Sequence, residues 1–358
     1  MTNFRPAPLV DVIDTSVAPV QDTAVTKVPM ITWGGDLVTI MANGNSTRTQ
    51  ADSIFARKGL NLELVRQDDF KQQLRDYLSG RTPYLRCTVG MCNQAAELLN
   101  RNPETRPIVI YQMTWSKGGD GLVAKDGILK VDQLREKTVA LQAYGPHVDF
   151  MTTLLSQSNL SIDDINLRWM NNLTLSPQSP PEAFREDEVD AAFMVLPDAL
   201  TLTSNRQVGT GSKGSVRGAR LITSTMYASR IIADLYVVRA DYLEQHGEKV
   251  KAFVTGLLQA QSETGSIMAK LNSPERIDLL GVGAGILLDA PEALADMENL
   301  YLDADPAGLE GNLSFLSGKG AGRNLQALND ELQTAFEQIG LVRQKSFLTA
   351  VDWDFSRL

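Results

Sequence analysis

Cysteine and histidine are almost missing from this chain of 358 residues: Cys87, Cys92, His147 and His246 are all it has. A zinc site of Cys and His, or a triad centred on His, has little to be built from. Two cysteines are also too few for a disulfide framework. A basic surplus is lacking too. Lys and Arg number 34 against 43 Asp and Glu, a net charge of −9. A general nucleic-acid binder needs a basic face, and docking on anionic lipid needs the same. No apolar run approaches the roughly 18 residues that a membrane-spanning helix requires. The first residues show no basic segment followed by an apolar one, so no secretory signal is read there.

What remains is an ordinary globular composition, 43% hydrophobic and 22% charged. The length suggests about two domains. Residues 1–28 scatter Pro6, Pro8 and Pro19 among Asp, Thr and Val without a sustained period, and read as a flexible leader or tether, with an irregular strand draped over the body as the alternative. From Val28 onward strands and helices alternate. Strands are expected at 28–33, 60–65, 106–112, 121–124, 137–142, 165–169, 189–196 and 233–238. Helices are expected at 68–78, 88–99 and 147–157, with a mostly helical stretch over 248–345. Such alternation argues for a helix-covered, largely parallel sheet.

In open α/β sheets ligands bind beyond the carboxyl ends of strands. Five loops take that position: 33–36, 86–90, 114–120, 142–147 and 197–198. Most combine an aromatic or a carboxylate with glycine, which lets a ligand approach the backbone closely. Gly-Gly-Asp and Gly-Pro are also common turn chemistry, so each loop taken singly has a plain structural reading. Gly145-Pro146 heads a helix whose free N–H groups attract an anionic or oxygen-rich group, and Thr88 heads another. Trp33, Trp115 and Tyr144 together with Asp36, Asp120 and Asp198 suit the opposite charge, since aromatic faces and carboxylates hold an amine. Core packing is the alternative for the aromatics, and helix capping for the aspartates. Cys87 and Cys92, five apart around a helix start, are expected as two reduced, buried residues, with a tight disulfide as the alternative. His147 is expected to make a structural hydrogen bond rather than to catalyse. The glycine-rich segments 208–214 and 281–285 lack the strand–loop–helix context of a phosphate or dinucleotide loop.

Several stretches carry a resemblance to a known family. They are Leu129-Lys-Val-Asp-Gln-Leu-Arg-Glu-Lys-Thr-Val-Ala140, Gly145 at the next helix, Glu188-Val-Asp-Ala-Ala-Phe193, and the return strand near Tyr236. In these the chain resembles the substrate-binding proteins of ABC transporters, in the group serving nitrate, sulfonates, taurine, bicarbonate and thiamine precursors. The stretch Ala140-Leu-Gln-Ala-Tyr-Gly-Pro-His147 is similar to a bacterial subgroup of such proteins. The resemblance implies an α/β, two-lobed type II periplasmic-binding-protein fold, each lobe a helix-flanked mixed sheet, with a helical C-terminal region. Lobe one would be 29–123 plus 237–358, and lobe two 124–236. The ligand would lie in the cleft between the lobes, at Trp33, Gly34, Gly35, Asp36, Thr88, Trp115, Asp120, Gln142, Tyr144, Asn172 and Asp198.

The expected function is that of an extracytoplasmic solute-binding protein, periplasmic or membrane-anchored. It would capture a small polar solute, an amine or zwitterion in first place, and deliver it to an ABC permease. A simple oxyanion such as nitrate or a sulfonate is the rival ligand class, and for it the strand-end loops supply only Arg86 and Lys117. A ligand sensor or interaction module tethered to a membrane partner is the other alternative. No enzyme activity, cofactor, metal or nucleic-acid partner is expected, and the protein is expected to be monomeric. The related fungal pyrimidine synthase depends on a cysteine-rich motif, which two cysteines do not make.

Overall fold

The computed structural model describes residues 4–358 except 206, 229 and 319–322. Residues 1–3 of the expected leader, and 319–322 of the expected helical stretch, lie outside that range. The rest of the leader is not a free tether. A short helix α1 (Leu9–Val12) buries Leu9 and Val10, and Ile13 is buried beyond it. Ala18 and Gln21 donate backbone hydrogen bonds to the carbonyls of Leu78 and Gly80. The proline content suggests a linker, but three aliphatic side chains on one face give the segment something to bury.

The next elements follow in order. Strand β1 (Thr26–Met30) leads to α2 (Asp36–Ala42), then α3 (Ile54–Arg57), β2 (Leu62–Arg66) and α4 (Phe70–Leu78). Then come β3 (Tyr84–Thr88), α5 (Val89–Leu99) and β4 (Pro107–Ser116). Asp69 caps α4 by accepting from the Lys71 and Gln72 amides, and Thr88 caps α5 by accepting from Met91. Both are ordinary N-cap chemistry, in which a short polar side chain satisfies an orphan donor. The middle of the chain holds β5 (Asp120–Ala124), β6 (Thr138–Gln142), α6 (His147–Gln157), β7 (Asn166–Met170) and α7 (Pro180–Ala183). It continues through β8 (Ala191–Val195), α8 (Leu196–Leu202) and β9 (Arg220–Ser224). The last part runs β10 (Ala233–Arg239), α9 (Ala240–Met268), α10 (Pro274–Leu287), α11 (Leu294–Asp303), β11 (Ala304–Pro306), α12 (Gly308–Ser317), α13 (Leu325–Gln338) and β12 (Thr349–Ala350).

These elements form two compact units. The central unit comprises Trp115–Ala233 with Glu331–Lys345 and, of the N-terminal segment, residues 4–8. Its sheet has the order β7-β6-β8-β5-β9, with β6 parallel to β7 and β8, and β5 antiparallel to β8 and β9. The outer unit comprises Leu9–Thr114, Asp234–Asp330 and Ser346–Leu358. It carries the parallel pair β1-β2 and a sheet ordered β11-β4-β10-β3, with β12 beside β4. The main connections therefore fall at 114/115 and 233/234, earlier than the expected 123/124 and 236/237. The sheet explains the first shift, because all of β5 pairs with β8 and β9 inside the central unit. The outer core gathers Phe55, Tyr84, Tyr236 and Phe253, with ring centroids 5.1–5.3 Å apart from Phe253.

Cys87 and Cys92 are joined by a disulfide, which corrects the expectation of two reduced thiols. Cys87 lies in β3 and Cys92 in the second turn of α5. The extended backbone at Thr88 turns the chain so that the two Cα atoms lie 5.9 Å apart, inside the range a disulfide needs. Closing so short a loop stabilises by about 2 kcal/mol in the chain-entropy account. A Cys87→Ala/Cys92→Ala protein is expected to unfold in urea with a stability lower by about that amount, and reductant is expected to bring the wild type to the same value. Equal stability with and without reductant would show that the bridge is not formed in solution.

Candidate functional site

The central sheet determines which of its candidates meet. Strands β6, β7 and β8 run parallel, so their carboxyl ends lie at one edge. Strand β5 runs the other way and delivers its first residue, Asp120, to that same edge, while β9 delivers its last. Asp120, Gln142, Tyr144, Asn172 and Asp198 therefore share one rim of one sheet. Trp115 is the last but one residue of β4 and is buried.

Each of these side chains has a defined setting. The Asp120 carboxylate accepts the Ser116 hydroxyl at 2.6 Å and lies 2.7 Å from His147 Nε2. Thr225, which follows β9, takes the amides of Gly118 and Asp120 on its hydroxyl oxygen at 2.9 and 3.3 Å. Asp198, in the first turn of α8, accepts the Thr174 hydroxyl at 2.6 Å. Partial burial pushes its carboxyl above the usual range, while the Thr174 bond pulls it back. Asn172 is exposed and donates to Ser176 Oγ at 2.8 Å. The Tyr144 hydroxyl donates to the Ala7 carbonyl at 2.6 Å, and its φ of +60° makes the tight bend into α6. Gln142 folds over that bend: a Cβ on Gly145 would stand 2.1 Å from Gln142 Oε1.

In the outer unit, Trp33, Gly34, Gly35 and Asp36 form the turn from β1 into α2. Sequence reasoning read Asp36 as a carboxylate for a ligand amine. Asp36 is fully buried, and both its oxygens take hydrogen bonds from Arg86, from Nε at 3.1–3.2 Å and from Nη2 at 2.8 Å. Arg86 Nη1 bonds Asp234 at 2.8 Å. Thr114 donates to the other oxygen of Asp234 at 3.0 Å and accepts from Trp33 Nε1 at 3.0 Å. The Arg86 guanidinium also stands 5.8 Å from the centroid of the Tyr236 ring. Two carboxylates share one cation in a dry place. Burial, reinforced by Asp234, pushes the Asp36 carboxyl up to about 7 against the pull of Arg86. Arg86 is thus not a free cation for an oxyanion. Gly34 and Gly35 are glycine because α11, Met113 and Thr114 crowd them. Thr88 spends its hydroxyl as the cap of α5.

Sequence reasoning passed over Ser116, Thr225 and Asp234 as parts of these settings, while the structural hydrogen bond expected of His147 is the one it makes with Asp120. Asp234 sits in an apolar strand pattern, where an isolated carboxylate is itself the signal of a buried partner. Two surface hollows of the outer unit, of about 520 and 640 Å³, are lined by none of the candidates. Among the described residues no group of three or more His, Cys, Asp or Glu is arranged to hold a metal ion.

The family model described as NMT1/THI5 like matches residues 50–265. No curated protein matches the sequence. Among solved structures, the alkanesulfonate-binding protein SsuA from Xanthomonas axonopodis pv. citri, bound to MOPS, is similar with a TM-score of 0.61 and 15% identity, over 93% of this chain and 100% of that one. A Candida albicans protein described as having the generic periplasmic binding protein fold gives 0.56 and 11%, over 93% and 99%. The desulfurization enzyme DszB gives 0.53 and 14%, over 90% and 94%. Identities this low carry the fold, which is that of the periplasmic binding proteins.

Proposed function

The chain belongs to the NMT1/THI5-like family, and from that premise we propose that it is an extracytoplasmic solute-binding protein that captures a small polar solute and hands it to an ABC permease. The observation that carries this reading is the rim of the central sheet, where Asp120, Gln142, Tyr144, Asn172 and Asp198 converge with the head of α6. Convergence of polar groups at strand ends is what a site for a small solute requires. The Cys87–Cys92 disulfide supports an oxidising location. No helix among the described residues is long and apolar enough to cross a membrane.

The amine expected first gives way here to a solute with an oxyanion group. The three aspartates offered for an amine already have partners: Arg86 on Asp36, Ser116 and His147 on Asp120, and Thr174 on Asp198. The N-cap position of α6, Pro146, makes no side-chain cap hydrogen bond, and backbone N–H groups at a helix head attract oxygen-rich groups. The sulfonate-binding SsuA with MOPS bound is in keeping with that class.

Native mass spectrometry of the purified protein, followed by denaturing release, tests the reading. The expected result is a stoichiometric small acid, released chemically unchanged, or a thermal shift of several degrees with sulfonates in a panel that also contains amines. No released solute and no shift with any member would overturn it. Because DszB is an enzyme on this fold, conversion of the solute would overturn it equally.

A further inference from the structure

We propose that residues 4–8 are a built-in competitor at the solute site, and that an oxygen of the incoming solute displaces the Ala7 carbonyl from the Tyr144 hydroxyl. The inference rests on the solute-binding reading above and adds what regulates that site.

Tyr144 stands on the rim of the central sheet, in the bend between β6 and α6. Its φ of +60° lies in the left-handed region. The backbone of this bend sets where the ring stands, so a partner has to come to it. The residue is only 5% exposed, and its hydroxyl donates to the Ala7 carbonyl at 2.6 Å. A phenol has one proton to give. That proton is already spent on the protein's own chain, on the rim where the solute is to be held.

Little else holds the stretch that takes it. Pro6 and Pro8 have no amide to donate. Among the described residues, the Tyr144 bond is the one hydrogen bond that residues 4–7 make. Pro6 is buried, whereas Phe4, Arg5 and Ala7 are exposed. The anchor comes just beyond. Leu9, Val10 and Ile13 are buried, and α1 packs on α5. Ala18 then donates to the Leu78 carbonyl. The grouping of the chain changes at the same point: residues 4–8 go with the central unit, and Leu9 onward with the outer one. A short stretch with one polar contact can leave its place while the anchored chain stays folded.

The exchange is one acceptor for another. A sulfonate or carboxylate oxygen carries charge, and a charge-assisted hydrogen bond is roughly twice as strong as a neutral one. Such an oxygen outbids the Ala7 carbonyl for the Tyr144 proton. An ammonium group has donors only. It would use the lone pairs of the hydroxyl and leave the Ala7 bond intact. Release of the segment therefore tells the two ligand classes apart.

A nitroxide attached to Arg5→Cys in the whole chain reads the segment directly. The native cysteines are paired and buried, so the label goes to position 5. Electron paramagnetic resonance is expected to show a restricted label in the free protein and a mobile one at saturating propanesulfonate. Propylamine is expected to leave the label restricted. Deleting residues 1–8 gives a second readout by calorimetry. The Kd for propanesulfonate is expected to fall about three- to tenfold, the worth of one net hydrogen bond, and that for propylamine to stay the same. The label decides even where the shortened protein does not fold. A label that is mobile in the free protein, one that stays restricted with propanesulfonate bound, or one released equally by propylamine would overturn the inference and leave the solute-binding reading standing. So would an equal or weaker affinity of the shortened protein for propanesulfonate. Binding of propylamine alone would overturn it in favour of an amine solute. Binding of neither, with no solute released from the purified protein, would bring down both.

Discussion

Arg86→Leu is expected to cost about 3–5 kcal/mol of stability, the range for stripping one partner from a buried ion pair. Arg86 and Asp36 are fully buried and Asp234 nearly so. Leucine would leave two carboxylates facing each other with no cation, and Trp33 would lose the chain of bonds that runs through Thr114 and Asp234. The cost is expected to be larger at neutral than at acid pH, because protonation removes the repulsion between the two acids. The wild type has its own pH signature. Its Asp36 carboxyl stands at about 7 in the folded protein against an ordinary 3.8. Between those values the folded chain holds a proton that the unfolded chain has lost. Stability from this group is therefore full below about 3.8 and is lost as pH rises through about 7. Comparing urea unfolding of wild type and Asp36→Asn from pH 4 to 8 isolates the effect. A difference between the two proteins that is flat with pH would refute it, and an Arg86→Leu protein as stable as wild type would show that the triad is not needed.

Gly34→Ala is expected to cost about 3 kcal/mol, the upper end for overpacking. A Cβ at that position would come within 1.9 Å of the Leu300 carbonyl oxygen and 2.2 Å of its carbon. Those are main-chain atoms of α11, which no rotamer change can move aside. The turn 33–35 would shift, and with it the start of α2. Gly265→Ala is the control: nothing lies within 4 Å of that position, which is inside α9. There the lost glycine freedom is expected to stabilise by about 0.5–1 kcal/mol. Urea midpoints of both variants decide the matter. A Gly34→Ala protein as stable as wild type would mean that α11 does not press on this turn.

Periodicity and punctuation made most elements legible. The run 106–112 reads as a buried strand, and the structure places Pro107–Ser116 there. Thr88 announced the helix it caps. The glycine and aromatic content of the strand-end loops pointed to the rim of the central sheet. The leader was misread because composition counts prolines and not the face that Leu9, Val10 and Ile13 share. Strand β9 was passed over because its residues are mostly half-buried and their pattern is weak.

The sequence by itself determined the α/β class, the order of strands and helices, the family likeness and the shortlist of polar residues at strand ends. All of these depend on local propensity and on spacing of two or 3.6 residues, which one chain displays directly. Only the tertiary structure decided what each polar residue faces. Asp36 meets Arg86 across 50 residues, and Asp234 meets it across 148. Asp120 finds His147 because β5 runs antiparallel to β8 in the central sheet. Such partners are set by strand order and register, and a carboxylate read from sequence keeps its charge only until packing supplies its neighbour.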